Sequence, residues 1–316
     1  MRRIGATVAV LASLAVSPGL AAAEEIKLAL PVLSLESLPI FIAQEQGFLK
    51  KRGVDIDVIT SRGGGEAMKA YIAGDVQLIA TGFPEVGLMR SRGVDVALFF
   101  AQLQRVPFAL IGRKDRNIAS VADLKGRTIA VTSPGSLTWI LTRYFIKLQG
   151  MDPDRDVVVV SVGGGGEILG ALQSSRADAA MVFEPFVTIA LQQDLATVVI
   201  DVAAQLDAFS SAPLAIGKTF LEKSPKEAQA IVDALTEALN YLHSEKEGTL
   251  QLAQKKFPGA KPEVLRAALE RMEKVFSRDG KFSRANVERT QQICKDLGII
   301  PQVYPYAEVV APTARE

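Results

Sequence analysis

Ten short β-rich runs alternate with helical stretches in this chain, and the alternation follows the same plan twice. The first series of strand candidates is Ile26–Leu30, Asp55–Thr60, Val76–Ala80, Val96–Phe100 and Ala109–Ile111. The second is Thr128–Thr132, Val157–Val162, Ala177–Val182, Thr197–Asp201 and Ala212–Ile216. Helices are expected near Pro39–Lys51, Gly65–Ala73, Pro84–Arg92, Ser136–Gln149, Glu167–Ser174 and Pro185–Gln193. Near-continuous apolar strands separated by helices predict parallel sheets covered on both faces. The two series also match residue by residue. Ser37-Leu38 corresponds to Ser136-Leu137, and Gly63-Gly64-Gly65-Glu66 to Gly164-Gly165-Gly166-Glu167. At the glycine runs' offset of 101, Ala70 pairs with Ala171, Phe83 with Glu184 and Pro84 with Pro185. Two copies make paired lobes, not a solenoid.

After Ala212–Ile216 the pattern turns helical. Ser224-Pro225-Lys226-Glu227 carries a capping Ser, a first-turn Pro and a Glu three residues on. Ile231, Leu235, Leu239 and Leu242 follow at helical spacing. Ser244–Phe257, Pro262–Phe276 and Ser283–Leu297 continue the series. The fold class expected is α/β, with two doubly wound lobes and a helical C-terminal extension packed on the first. Residues 24–107 and 212–316 would form lobe 1, and residues 108–211 lobe 2. Doubly wound sheets gather ligand sites at the C-terminal ends of their strands. Two such lobes face to face make a clamp.

The chain's first 23 residues read as a secretion signal. Arg2 and Arg3 precede an apolar stretch, Ile4–Val16, and Ala21-Ala22-Ala23 offers a small-residue cleavage site before Glu24. The apolar part is shorter than the ~20 residues a membrane-spanning helix needs. The expected location is therefore the periplasm, after cleavage near Ala23. Taking Arg2 and Arg3 from the 36 basic side chains leaves them one short of the 35 acidic ones. That neutrality argues against nucleic acid as a partner. A single cysteine, Cys294, excludes an internal disulfide, and a single histidine, His243, argues against a structural zinc site.

The loops at the expected cleft carry the chemistry. Ser133-Pro134-Gly135-Ser136 lies between a strand and a helix, where free N–H groups and hydroxyls suit an acidic ligand oxygen. Ser136 also fits a plain N-cap. Trp139, the only tryptophan, lies roughly opposite the helix's apolar stripe and is placed either to stack on a ligand or to bury against the other lobe. Gly63–Gly65 and Gly163–Gly166 fail the dinucleotide and P-loop patterns, because Met68 and Ile168 stand where the last Gly belongs and no Lys-Ser or Lys-Thr follows. No cofactor is expected. Glu66 and Glu167 fit first helical turns, whereas Glu36 and Glu184 are free to accept from a ligand amine or hydroxyl. With His243 in the helical tail and no His beside Cys294, no catalytic constellation is expected.

Leu38-Pro39-Ile40-Phe41-Ile42-Ala43-Gln44-Glu45-Gln46-Gly47-Phe48-Leu49-Lys50-Lys51-Arg52-Gly53-Val54-Asp55-Ile56 resembles the opening signature of periplasmic solute-binding proteins of the nitrate/sulfonate/taurine ABC-transporter type. Ala73-Gly74-Asp75-Val76, Asp123–Val131, Ala177-Asp178-Ala179-Ala180 and Phe183-Glu184-Pro185 extend the resemblance over nearly all of the chain after its first 23 residues. One departure is Gln77, where the family's first lobe often has Asp, as Asp178 does in the second. The resemblance implies the type II periplasmic-binding-protein fold, a monomer that closes on a small molecule and passes it to an ABC-transporter membrane permease. It implies that Ser34, Glu36, Ser37, Arg62, Gly64, Thr81, Gly82, Phe83, Ser133, Gly135, Ser136, Thr138, Gly164, Gly165 and Glu184 lie at or near the cleft. Phe41, Phe83 and Trp139 would cover an apolar ligand part, and Arg62 or Arg105 would neutralise charge. A small organic anion, sulfonate or carboxylate, is the expected ligand. A neutral heteroaromatic such as a pyrimidine, held by Glu36 or Glu184, is the alternative within binding. An enzyme on the same fold and a sensory subunit are the other classes.

Overall fold

The computed structural model describes residues 26–206, 209 and 211–315. The expected signal segment, residues 1–23, lies outside the described residues. The strands are β1 (Ile26–Leu30), β2 (Ile56–Thr60), β3 (Leu78–Ala80), β4 (Ala97–Leu103), β5 (Ala109–Arg113), β6 (Thr128–Val131), β7 (Val158–Ser161), β8 (Ala179–Val182), β9 (Ala196–Asp201) and β10 (Ser211–Ile216). They form two five-stranded sheets, ordered β2-β1-β3-β10-β4 and β7-β6-β8-β5-β9. All ten lie where the alternation places them.

The expectation of all-parallel sheets is corrected. β1 runs parallel to β2 and β3, but β10 is antiparallel to β3 and β4. In the second sheet β6 runs parallel to β7 and β8, while β5 is antiparallel to β8 and β9. The cause is the route of the chain. β5 is the first strand after the chain crosses to the second sheet, and β10 is the strand that returns to the first. The edge strands β2 and β7 also keep exposed faces. The departure at Gln77 keeps its function. Gln77 Oε1 accepts the Lys27 N–H at 2.9 Å, and Asp178 Oδ2 accepts the matching Thr128 N–H at 3.0 Å.

The helices of the sheets are α1 (Leu38–Glu45), α2 (Gly64–Ala73), α3 (Phe83–Ser91), α4 (Leu137–Leu148), α5 (Gly165–Gln173), α6 (Phe186–Gln192) and α7 (Val202–Gln205). The C-terminal extension adds α8 (Lys218–Lys223), α9 (Pro225–Ser244), α10 (Lys246–Lys256), α11 (Pro262–Met272), α12 (Arg284–Asp296) and α13 (Tyr306–Val309). α1 ends earlier than its apolar pattern, because Gly47 at φ 70° turns the chain out of the helix. In α9 the buried Ala228, Ile231, Ala234, Leu235, Ala238, Leu239 and Leu242 form one stripe at three- and four-residue spacing. That stripe packs on α1, α10 also meets α1, and α12 packs on α3. Each fully buried leucine there contributes about 1.5–3 kcal/mol. The extension does more than cover the first lobe, since α11 reaches across to α6 of the second. Cys294 is buried in α12 among apolar side chains, and burial pushes its thiol pKa up. His243 sits in α9 with Nε2 2.9 Å from the Ser277 carbonyl.

Candidate functional site

The C-terminal ends of β1, β3, β6 and β8 all point to the seam between the sheets, and the segments that follow them line one cavity. Counting the part open to solvent, it leaves about 520 Å³ unfilled by protein atoms. From the first lobe come Ser34, Glu36, Ser37, Gly64, Thr81, Gly82 and Glu85; from the second come Thr132, Ser136 and Thr138. Leu30, Val32, Leu137, Phe108 and Phe183 give it apolar walls. Phe108 and Phe183 lie 5.6 Å apart, centroid to centroid.

Two carboxyls dominate its electrostatics. Glu36 is 8% exposed and its Oε1 is buried without a hydrogen-bond partner. Burial, with the neighbouring Glu85 adding repulsion, raises its pKa to about 8. Glu85, in the first turn of α3, is 2% exposed and its pKa is raised by burial to about 7. The Thr81 hydroxyl and the Gly82 and Leu137 N–H groups oppose that shift. Gly82 donates to Glu85 Oε2 at 2.5 Å, and Leu137, across the seam, donates to Oε1 at 3.1 Å. No Arg or Lys is among the residues lining this cavity.

The second lobe's hydroxyls are engaged with one another. Ser136 Oγ donates to the Ser133 carbonyl at 2.7 Å and accepts the Trp139 N–H at 3.3 Å, which makes it the N-cap of α4. Thr138 Oγ1 accepts the Thr132 N–H at 3.0 Å and lies 2.9 Å from both Thr132 Oγ1 and Ser136 Oγ. The network presents a hydroxyl edge with little spare donor capacity.

Residues 34–248 match the family model described as NMT1/THI5 like. The chain belongs to this family. Among curated relatives it is 23% identical over 292 residues to the putative binding protein YtlA of Bacillus subtilis (strain 168), covering 90% of this chain and 87% of that one. A solved structure from Bordetella bronchiseptica RB50 superposes with TM-score 0.82 at 22% identity, covering 92% and 94%. The periplasmic aliphatic sulphonate binding protein SsuA of Escherichia coli does so at 0.73 and 18%, covering 93% and 94%. The desulfurization enzyme DSZB shares the fold as well, at 0.64 and 16%, covering 91% and 97%. These structural likenesses show the fold, the type II periplasmic-binding-protein architecture.

Within this NMT1/THI5-like fold, eight of the expected residues meet in the cavity: Ser34, Glu36, Ser37, Gly64, Thr81, Gly82, Ser136 and Thr138. The others lie elsewhere. Phe41 is buried in the first lobe's core beneath Lys256, whose Nζ is 4.0 Å from the ring centroid. Phe83, the first residue of α3, is buried in the same lobe's core. Arg62 and Arg105 are exposed, so neither carries charge into the cavity. Trp139 points away from the cavity and is half-buried, its ring 4.5 Å from the Arg143 guanidinium, in a groove shared with Leu88 of α3, Gly135 and Leu297. Gly164 and Gly165 stay outside; a Cβ on Gly165 would overlap the Phe186 ring.

Ser133 and Glu184 instead join the lobes. Ser133 Oγ accepts the Gly65 N–H at 3.2 Å. Glu184 is 2% exposed, accepts from Arg271 Nε at 2.8 Å and from the Thr188 N–H at 3.1 Å, and its carbonyl accepts the Leu35 N–H at 3.1 Å. Burial raises its pKa against these partners. Glu85 was legible only as a first-turn acid of a helix. Its place beside Thr81 and Gly82, both expected at the cleft, is the signal that points to it. Gln102, Phe108 and Phe183 carry no such signal; they read as strand or crossing residues.

Proposed function

We propose that this protein is the extracytoplasmic solute-binding subunit of an ABC importer, a monomeric clamp that closes on one small molecule and delivers it to a membrane permease. The family match and the paired-lobe fold support the binding role. The ligand we assign has an apolar or aromatic body and N–H donors, neutral or cationic, rather than an anionic group. One observation carries this choice: the cavity is lined by two buried carboxyls and by no arginine or lysine. No cation lines the cavity to neutralise an anion, and Glu36 would repel one once ionised, whereas an amino group would supply the partner that Glu36 Oε1 lacks. Phe108 and Phe183 suit a ring. The aminopyrimidine class combines these features.

Isothermal titration against small amines and aminopyrimidines, beside sulfonates and carboxylates, tests it at pH 6 and pH 8. An N–H ligand favours ionised Glu36, so its binding releases a proton and tightens as pH rises towards about 8. Saturable binding of sulfonates or carboxylates alone, tightening as pH falls, would overturn the assignment.

A second reading draws on the same pair. Carboxyls that titrate near neutrality are suited to proton transfer, and Glu36 and Glu85 at about 8 and about 7 fit that range. An enzyme would return an altered compound. Mass spectrometry of the ligand recovered after prolonged incubation separates the two, and an unchanged mass supports the clamp.

A further inference from the structure

The Glu85 carboxyl lies between the N-termini of two helices from opposite lobes. Gly82, the N-cap of α3, donates to one oxygen, and Leu137, the first residue of α4, donates to the other. The first of these is the return half of a capping box. The second crosses the seam and has no local reason to exist. Convergent N–H groups at helix N-termini are what a clamp offers to the acidic oxygens of a ligand. Here the protein's own side chain takes that position.

The surroundings are shaped to it. A Cβ on Gly64 would overlap Glu85 Oε1, and a Cβ on Gly82 would overlap Oε2. Both glycines leave room for the carboxyl and for nothing larger. In the same cavity Glu36 Oε1 is buried and unpartnered. Of the two acids, therefore, one is already held by backbone donors and the other awaits one.

We propose that Glu85 is the specificity-determining residue of the clamp: an internal carboxyl that fills the α3–α4 N-terminal site, bars carboxylate and sulfonate ligands from it, and leaves Glu36 to receive the ligand's N–H group. The proposal rests on the ligand-binding reading of the cavity given above.

Glu85→Ala should acquire an anion site. Titration with acetate, formate and methanesulfonate at pH 7 should show saturable binding at least about tenfold tighter than in wild type, the scale of a charged hydrogen-bonded group regained. Its melting temperature should climb with acetate but not with chloride at equal ionic strength. Glu36→Gln, which removes the other acid of the same cavity, should acquire no such binding. A folded Glu85→Ala that takes none of the three anions overturns the proposal. Equal acetate affinity in Glu36→Gln overturns it too, because loss of either carboxyl would then explain the gain. So does a wild type that binds these anions as tightly as the variant. If Glu85→Ala does not fold in chloride, refolding in acetate reads the same site: acetate-specific recovery supports it, and equal failure in both salts overturns it. Failure of every amine to bind the wild type bears on the functional reading alone, since the anion result on Glu85→Ala is independent of it.

Discussion

The two glycine-rich loops occupy the same place in the two lobes and do different work. Gly63–Gly65 faces the opposite lobe, with the Gly65 N–H on Ser133 and Gly64 against Glu85. Its counterpart, Gly164–Gly166, faces inward, where Gly165 makes space for the Phe186 ring that packs on Phe183 and Phe257. The same divergence runs through the flanking positions. Glu85 corresponds to Phe186, and Glu36 to Gly135. The duplication kept the backbone plan and divided the chemistry: hydroxyls come from both lobes, but the acids come from the first and the aromatic walls from the second. A clamp with unlike jaws can hold a ligand with unlike ends.

The largest expected effect is on the acid jaw. Glu36→Gln should weaken an N–H ligand by about 100-fold or more, as expected when a buried charged acceptor is lost. Isothermal titration reads it, and wild-type affinity in the variant would remove Glu36 as the anchor. The same substitution should change the pH profile of the free protein. An ordinary glutamate titrates near 4.5 and folded Glu36 at about 8, so between these values the native state holds more protons than the unfolded one. Stability contributed by protonated Glu36 is complete below about 4.5 and is lost as pH rises through about 8. Thermal unfolding across pH should show the melting temperature falling in wild type and a flatter profile in Glu36→Gln.

The glycine pair should separate stability from binding. Gly165→Ala forces a methyl group onto the Phe186 ring and should cost about 1–3 kcal/mol by denaturant unfolding. Its ligand affinity should stay within about twofold, since Gly165 does not line the cavity. Gly64→Ala should do the reverse, pressing on Glu85 Oε1 and lowering affinity by about tenfold with a smaller loss of stability. If both variants lose affinity equally, the loops are not divided as described.

How far the sequence discloses this molecule depends on what each signal encodes. Strand and helix positions follow from periodicity, so all ten strands fall where they are expected. Strand direction does not, because an apolar run looks the same in either sense; β5 and β10 therefore read as parallel. Cavity residues were found where a loop directly follows a strand's C-terminal end, as at Ser34–Ser37, Thr81-Gly82 and Ser136. Phe41 in α1 and Phe83 at the start of α3 follow segments that reach the cleft, but their side chains turn back into the core. A first-turn acid such as Glu85 has a local explanation in sequence, and the partner that gives it significance, the Leu137 N–H, lies on the other lobe. Contacts across the seam leave no periodic trace in either jaw.

The smallest expected effect concerns Trp139, the residue that composition alone makes most conspicuous. Its helix, α4, turns Leu137 and Thr138 toward the cavity, and one residue later the side chain has rotated about 100° away. There its ring meets the Arg143 guanidinium, which is itself paired with Asp154 through Nη2 at 2.7 Å. Phe keeps an aromatic face for the cation, whose stacking contributes about 0.5–1 kcal/mol or more, and loses part of the half-buried ring's packing, so Trp139→Phe should lower stability by about 1–2 kcal/mol. Ligand affinity should change by less than about twofold, because no atom of the ring borders the cavity. Titration of the variant with any ligand that binds wild type settles the point. An affinity loss of tenfold would mean that the lobes reorient on binding far enough to bring α4's outer face to the solute, and the unlike jaws would then have to include the aromatic one.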